Sequence, residues 1–402
     1  MALLSVLGGY FTVKCRLWRI GVKQILLLPF AQSGKKGGIS SFAAAATAVG
    51  GTVGVGSIVG VGVAISVGGE GSVFWLLVCS LLCVGLKYAE TSVALSAKGN
   101  KNGAGGAHCR LFALGYKKTA LFFCLCCVAV SLTTGNLTQI SAAAAALNGI
   151  GVEKALFGVI SAILVGLAVF GGRGRIARVN AVIMPAAACI YLLACLAVIL
   201  LNISQIPQAL SAVIKNAFGF SAVAGGFSGG VMAKAVSEGF ARSMFSTESG
   251  MGSSPLAHAS ADSADIATQA KWGIFEVAFD SFGVTALTAL ALLVSKKGDC
   301  LSAFYSSFGN IGTYAFAVLC AVFAFASVIS WCYYAECCIP FIFKKSRRAL
   351  LVYRVVFTLF ALVGSLVPIK NLLYTADILN ALMMLPNLLL LVLCRNEIEG
   401  ME

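Results

Sequence analysis

Apolar residues run along this chain in blocks separated by short polar or basic stretches. Blocks of about 20 residues are what a helix needs to cross the hydrocarbon core of a bilayer. The pattern predicts spans at 41–67, 72–93, 119–147, 154–171, 180–202, 223–258, 272–294, 313–343, 349–367 and 371–393. Two of them are interrupted. Residues 48–62 carry Gly50, Gly51, Gly54, Gly56, Gly60 and Gly62, and residues 246–255 read Ser-Thr-Glu-Ser-Gly-Met-Gly-Ser-Ser-Pro. Lipid offers no partner to a freed N–H or C=O, so a helix opens at membrane depth only around something polar. Breaks of this kind line the substrate and ion sites of secondary transporters. Small residues also serve close helix packing, and Gly60 and Gly62 fit that use, but packing alone does not call for the string at 246–255.

The spans divide into five from 41 to 202 and five from 223 to 393. An odd number in the first set makes the second start on the opposite face of the membrane, the geometry of an inverted repeat. Such a repeat predicts a break in the first span of each set, and spans one and six are the broken ones. The expected organisation is a partial N-terminal helix with a basic segment (1–38) followed by a transporter domain (39–402). The two repeats of that domain are 41–202 and 223–393. Residues 1–13 read as the tail of a helix whose beginning is absent, and 14–38 as an amphipathic stretch on the inner leaflet.

Composition agrees with an all-α polytopic membrane protein: 59% of the 402 residues are hydrophobic, 11% are charged, and mean hydropathy is +0.94. The net charge of +14 is not a nucleic-acid footprint, because its lysines and arginines cluster in alternate loops. Lys14–Lys36, Lys98–Lys118, Arg173–Arg178 and Lys344–Arg348 mark one face, which the positive-inside rule makes cytoplasmic. The C-terminus is then cytoplasmic, and the expected location is the cell membrane, as a multi-pass protein of a bacterial inner membrane. The fifteen cysteines lie mostly in apolar runs and read as small buried hydrophobes. The adjacent pairs Cys126-Cys127 and Cys337-Cys338 lack the spacing and histidine partners of a zinc site.

Several ordered motifs resemble the alanine or glycine:cation symporter family. The string from Phe245 to Ala259 is similar to that family's F-S-N-E-A-G-M-G-S-A-P-I-A-H-A, and Thr52–Val61 to T-V-G-T-G-N-I-A-G-V. Lys87–Glu90, Gly135–Gln139, Gly172 with Arg175–Ala177, Phe323–Trp331, and Asn380–Met383 with Pro386-Asn387 follow in family order. The resemblance covers almost the whole chain. It implies a leucine-transporter-like five-plus-five inverted repeat with two broken helices, sodium coupling, and small neutral amino acids as substrates.

Unwound backbone can supply donors for an amino-acid carboxylate and acceptors for its ammonium, with half-helix N-termini favouring the anion. This makes Thr52, Val55 and Gly56 in the first break, and Thr247, Gly250 and Met251 in the second, candidate substrate contacts. Gln139, polar at membrane depth and matching the family's glutamine, is a further one. Trp331 either walls the pocket or belongs to an interfacial belt; its depth in the span favours the pocket. By the resemblance, the backbone of Gly50 and Val53, the backbone near Phe323, and the Ser327 hydroxyl are the sodium ligands. Ser327 alone would equally be a helix serine bonded to its own backbone. Val55, Ser57, Thr247, Ser141 and Ala326 replace threonine, asparagine, asparagine, asparagine and threonine of the family.

Charges inside spans are costly and are paired or functional. Spacing lets Lys87–Glu90, Lys234–Glu238 and Glu238–Arg242 pair along one helix face. Glu248 lies within the second break, where accepting backbone N–H groups is one role and titrating during transport another. His258 reads as a local hydrogen-bonding residue. No nucleophile–base pair or nucleotide motif points to an enzyme, and no cofactor beyond a coupling sodium ion is expected. The partners expected are a small amino acid, sodium and the lipid bilayer, with no nucleic acid; the oligomeric state stays open. The leading expectation is sodium-coupled import by alternating access. A proton-coupled or altered-specificity transporter, a channel or sensor, and a degenerate paralogue are the alternatives.

Overall fold

The computed structural model describes residues 2–30, 38–97, 105–218, 228–262 and 265–398, and all regular structure among them is helical. Helices α1 (Ala2–Lys14) and α2 (Val22–Leu26) precede a first pass built from α3 (Ser41–Thr52) and α4 (Val55–Gly68). α5 (Ser72–Ser96) is the second pass, and the short α6 (Ala107–Ala113) follows it. α7 (Lys117–Leu132), a π-helical turn at Thr133–Leu137 and α8 (Thr138–Asn148) make the third; α9 (Lys154–Val169) and α10 (Gly172–Leu201) complete the first set. A connecting helix, α11 (Ile206–Ala217), leads towards the broken sixth pass, α12 (Ser228–Thr247) with α13 (Pro255–His258). α14 (Ile266–Ala278), a π-helical turn at Phe279–Thr285 and α15 (Ala286–Ser295) form the seventh. α16 (Cys300–Ile342), α17 (Arg347–Gly364) and α18 (Ile369–Leu393) are the last three.

Seven of these helical stretches are long and apolar enough to cross a membrane by themselves. The chain is a multi-pass membrane protein. Helix starts follow capping chemistry: Ser40, Asp265, Asp299 and Ser346 each accept the backbone N–H three residues on. Outward faces of α9, α10 and α17 expose Leu156, Ile163, Leu193 and Leu359, as lipid requires.

The structure corrects three expectations from the hydropathy pattern and adds a packing role for the N-terminal helix. The fifth pass begins at Gly172, so Arg173, Arg175 and Arg178 occupy its first turns and not a loop. The eighth helix starts at Cys300 and is interrupted at Gly309 (φ 62°), giving a short added helix before the span proper. Residues 206–217, expected as loop, form α11. The apolar N-terminal stretch is a core element: a Cβ on Gly85 would lie 2.5 Å from the Gly8 carbonyl, so α1 and α5 touch backbone to backbone. Lys35, Lys36, Lys98, Lys101 and the start expected for the sixth span lie outside the described residues.

Candidate functional site where the broken helices meet

At the first break, Val53 leaves the helix (φ −77°, ψ 95°), which frees carbonyls at the end of α3 from their usual partners. Ser327 on α16 meets them. Its Oγ donates to the Gly50 carbonyl at 2.8 Å and lies 3.4 Å from the Val53 carbonyl. The hydroxyl therefore bonds across to the broken helix and not back onto its own. Phe323, one turn earlier on α16, is buried edge-on against Tyr191 at 5.6 Å. Gly54 has no room for a side chain: a Cβ would stand 2.6 Å from Ser327 Oγ and 2.8 Å from Gln139 Oε1. Three passes converge on that one residue.

Other candidates around this break are engaged locally. The Thr52 hydroxyl bonds back to the Val49 and Ala48 carbonyls (3.1 and 3.2 Å), and its own carbonyl accepts from Ser57 Oγ at 3.2 Å. Val55 opens α4, and Gly56 lies against the Phe245 ring.

The second break is held from outside. Glu248 (φ 50°), Gly250 (φ 86°) and Gly252 (φ 70°) take left-handed backbone conformations, rare for a residue with a Cβ. The backbone N–H groups of Gly250 and Gly252 donate to Glu90 Oε2 on α5 at 3.2 and 3.1 Å. Asn387 on α18 donates to the same oxygen and to the Gly250 carbonyl, both at 2.9 Å. The task expected of Glu248, receiving backbone N–H groups, thus falls to Glu90. Glu248 accepts from Ser253 Oγ at 2.7 Å. Gly250 faces Leu4, Leu86 and Leu388, and both its backbone groups are committed to Glu90 and Asn387. Its part is to shape the break. Thr247 Oγ1 accepts the Ser249 N–H at 3.4 Å, and Met251 is buried in the main core.

Beneath this break lies a buried charge cluster. Lys87 Nζ is 3.2 Å from Glu90, 3.4 Å from Glu276 and 2.9 Å from Ser254 Oγ. Glu276 also takes a 3.0 Å contact from His258 Nε2, while Gln269 donates to His258 Nδ1 at 2.9 Å. The Lys87–Glu90 pair and the Glu238–Arg242 pair, at 3.8 Å, follow the spacing, and His258 makes local hydrogen bonds as expected. Each buried charge has a partner here, which is the condition for keeping it out of water.

Asp280 is the residue whose place could not be read from the chain. In the π-helical turn of the seventh pass it accepts from Ser246 Oγ at 2.5 Å and from Ser57 Oγ, and those two hydroxyls are 2.8 Å apart. One buried carboxylate therefore ties the two breaks together. The only signal in the sequence was an acid inside an apolar run.

Gln139 follows the other π-helical turn, and its amide donates to the Thr134 carbonyl at 3.4 Å. Trp331 is 1% exposed, packed on Gly135 and edge-on to Tyr334 at 5.3 Å. That burial excludes a place in an interfacial belt.

Two helices broken at membrane depth, tied to each other and to the third, seventh and eighth passes, define a leucine-transporter-like secondary transporter. MhsT, solved in complex with L-phenylalanine, has this fold: TM-score 0.63, 17% identity, 90% of each chain covered. The chain belongs to the sodium:alanine symporter family, whose model matches residues 1–400. It is 34% identical to an uncharacterized transporter of Haemophilus influenzae over 99% of this chain and 91% of that protein. It is 32% identical to the amino-acid carrier protein AlsT of Bacillus subtilis (98% and 86% covered). The sodium/alanine symporter AgcS of Methanococcus maripaludis is 29% identical (93% and 88% covered). The protein is a cation-coupled amino-acid transporter and not an enzyme.

Proposed function

We propose that this protein imports alanine, glycine or a similarly small neutral amino acid together with sodium, by alternating access, in a bacterial cell membrane with its C-terminus in the cytoplasm. The observation that carries the reading is the convergence of Ser327 on the Gly50 and Val53 carbonyls, beside Gly54 and Gln139. Sodium is a hard cation that takes oxygen ligands. Two carbonyls freed by the break, the Ser327 hydroxyl and backbone near Phe323 form such a set. On ion binding the Ser327 proton turns away and its lone pair faces the ion.

The amino acid then lies between the breaks. The N-terminal end of α4, with the backbone of Thr52, Val55 and Gly56, receives the carboxylate. Carbonyls around Thr247 and Met251 receive the ammonium, Gln139 adds a polar contact, and Trp331 limits side-chain size. AlsT is named an amino-acid carrier and AgcS a sodium/alanine symporter, and the second name supports this substrate class. Asp280 favours a second reading in the same site, with a proton as coupling ion, because its carboxylate bridges both breaks.

The test is uptake of labelled alanine and glycine into proteoliposomes with and without an inward sodium gradient. Accumulation that requires the gradient supports sodium symport. Accumulation driven equally by a proton gradient moves the coupling to Asp280. No accumulation of any small amino acid by folded protein overturns the reading.

A further inference from the structure

All fifteen cysteines are free thiols, and the fold gathers several of them where the sequence showed no metal-binding spacing. His108 on α6, Cys124 on α7 and Cys338 on α16 bring their ligand atoms within 4.8 Å of one another, all buried. Cys127, one turn beyond Cys124 on the same face of α7, is in side-chain contact with Cys338. The histidine partner judged missing from the chain is supplied by a loop helix from elsewhere in the fold.

The imidazole is set for a ligand. His108 is 1% exposed, stacked on Phe123 at 6.2 Å and held edge-on by Phe341 at 5.4 Å, so the ring cannot swing out. Its Nε2 lies 3.3 Å from Cys109 Sγ, while Nδ1 is buried without a hydrogen-bond partner. A buried polar atom left without a partner is costly, and a metal ion would give it one.

We propose that the His108, Cys124 and Cys338 cluster holds a zinc(II) ion, with Cys127, which contacts Cys338 from the next turn of α7, moving in as the fourth, tetrahedral ligand. Three sulfurs and one nitrogen are a donor set typical of structural zinc, with Zn–S about 2.3 Å and Zn–N about 2.0 Å. Those bond lengths space the ligand atoms roughly 3.4–3.8 Å apart, so His108, Cys124 and Cys338 need to close by about an ångström, and Cys127, outside that cluster, has to move in to complete the site. Binding exchanges three thiol protons for the ion. Arg173, which donates to the adjacent Cys337 at 3.5 Å, supplies positive charge near the thiolates. The ion would tie α6 to the third and eighth passes. Cys338 lies two turns, about 10 Å, beyond Trp331 on α16, so the site is separate from the proposed amino-acid and sodium sites.

The test uses the full-length protein, purified with a phosphine reductant, stripped by chelator, loaded with zinc and desalted. X-ray absorption at the zinc edge should show sulfur at about 2.3 Å and one nitrogen at about 2.0 Å, with one zinc retained per chain. The pair Cys124→Ala and Cys338→Ala should lose the ion, and Cys320→Ala on the far part of α16 should keep it. An oxygen and nitrogen shell without sulfur in the unaltered protein would overturn the site, whether or not the double variant folds. So would failure to retain zinc, or an unchanged sulfur shell in the folded double variant.

Discussion

The Glu90 carboxylate accepts the backbone N–H of Gly252 at 3.1 Å across 162 residues of sequence. The same oxygen holds Gly250 and Asn387, while Lys87 sits at the other carboxylate oxygen. The left-handed turns of the second break are thereby fixed by a charge on the second pass. Glu90→Gln removes that charge and leaves Glu276 as the one carboxylate in direct contact with Lys87. Removing one member of a buried pair costs about 3–5 kcal/mol, to be read as a lowered unfolding midpoint in detergent. Asn387→Ala loses hydrogen bonds but no charge and should cost about 1–3 kcal/mol. Equal losses from the two would show that the charge on Glu90 carries no special weight.

Gly54→Ala tests the convergence at the first break. A methyl group there would meet Ser327 Oγ and Gln139 Oε1 at 2.6 and 2.8 Å, closer than non-bonded atoms tolerate. The expected result is a protein with a normal size-exclusion profile and uptake reduced at least tenfold. Gly60→Ala on the same span, where the nearest atom is 3.7 Å away, should transport normally. Normal uptake by Gly54→Ala would mean that the break does not form the site.

Much of this architecture was legible in the chain because its driving pattern is local. Apolar blocks gave the passes, and the strings around Gly54 and Gly250 gave both breaks, since each is written in contiguous residues. What stayed hidden depends on distant partners. Nothing near Glu90 says that it will cap a turn 160 residues later, and nothing near Asp280 announces Ser57 and Ser246. Arg173, Arg175 and Arg178 read as loop because charge marks a membrane boundary without saying whether the helix continues through it. His108 could not be matched to Cys124, Cys127 and Cys338, since zinc spacing is recognised only when ligands come in nearby pairs.

Asp280→Asn separates two roles for the carboxylate between the breaks. As a structural link it is replaceable, because an asparagine carbonyl still accepts a hydroxyl proton. As carrier of a charge that accompanies the coupling ion it is not. The expectation is that exchange of internal for external amino acid survives, while accumulation against a gradient falls at least tenfold. Unchanged accumulation would leave Asp280 a structural bridge only.

Ser327→Ala and Gln139→Ala should dissociate the ion from the amino acid. Ser327 touches the carbonyls of Gly50 and Val53 proposed to hold sodium, whereas Gln139 reaches Gly54 from the third pass. Losing an oxygen partner of a charged group costs about 1.5–3 kcal/mol, and each 1.4 kcal/mol is tenfold in an equilibrium constant. Half-saturating sodium should therefore rise about 10- to 100-fold in Ser327→Ala, with the half-saturating amino acid little changed once sodium is in excess. Gln139→Ala should show the reverse, a higher half-saturating amino acid at constant sodium demand. Both constants should be taken from initial uptake rates over a grid of the two concentrations. A Ser327→Ala protein that keeps its sodium dependence would remove the ion from this site and leave the hydroxyl as a clasp on the broken helix.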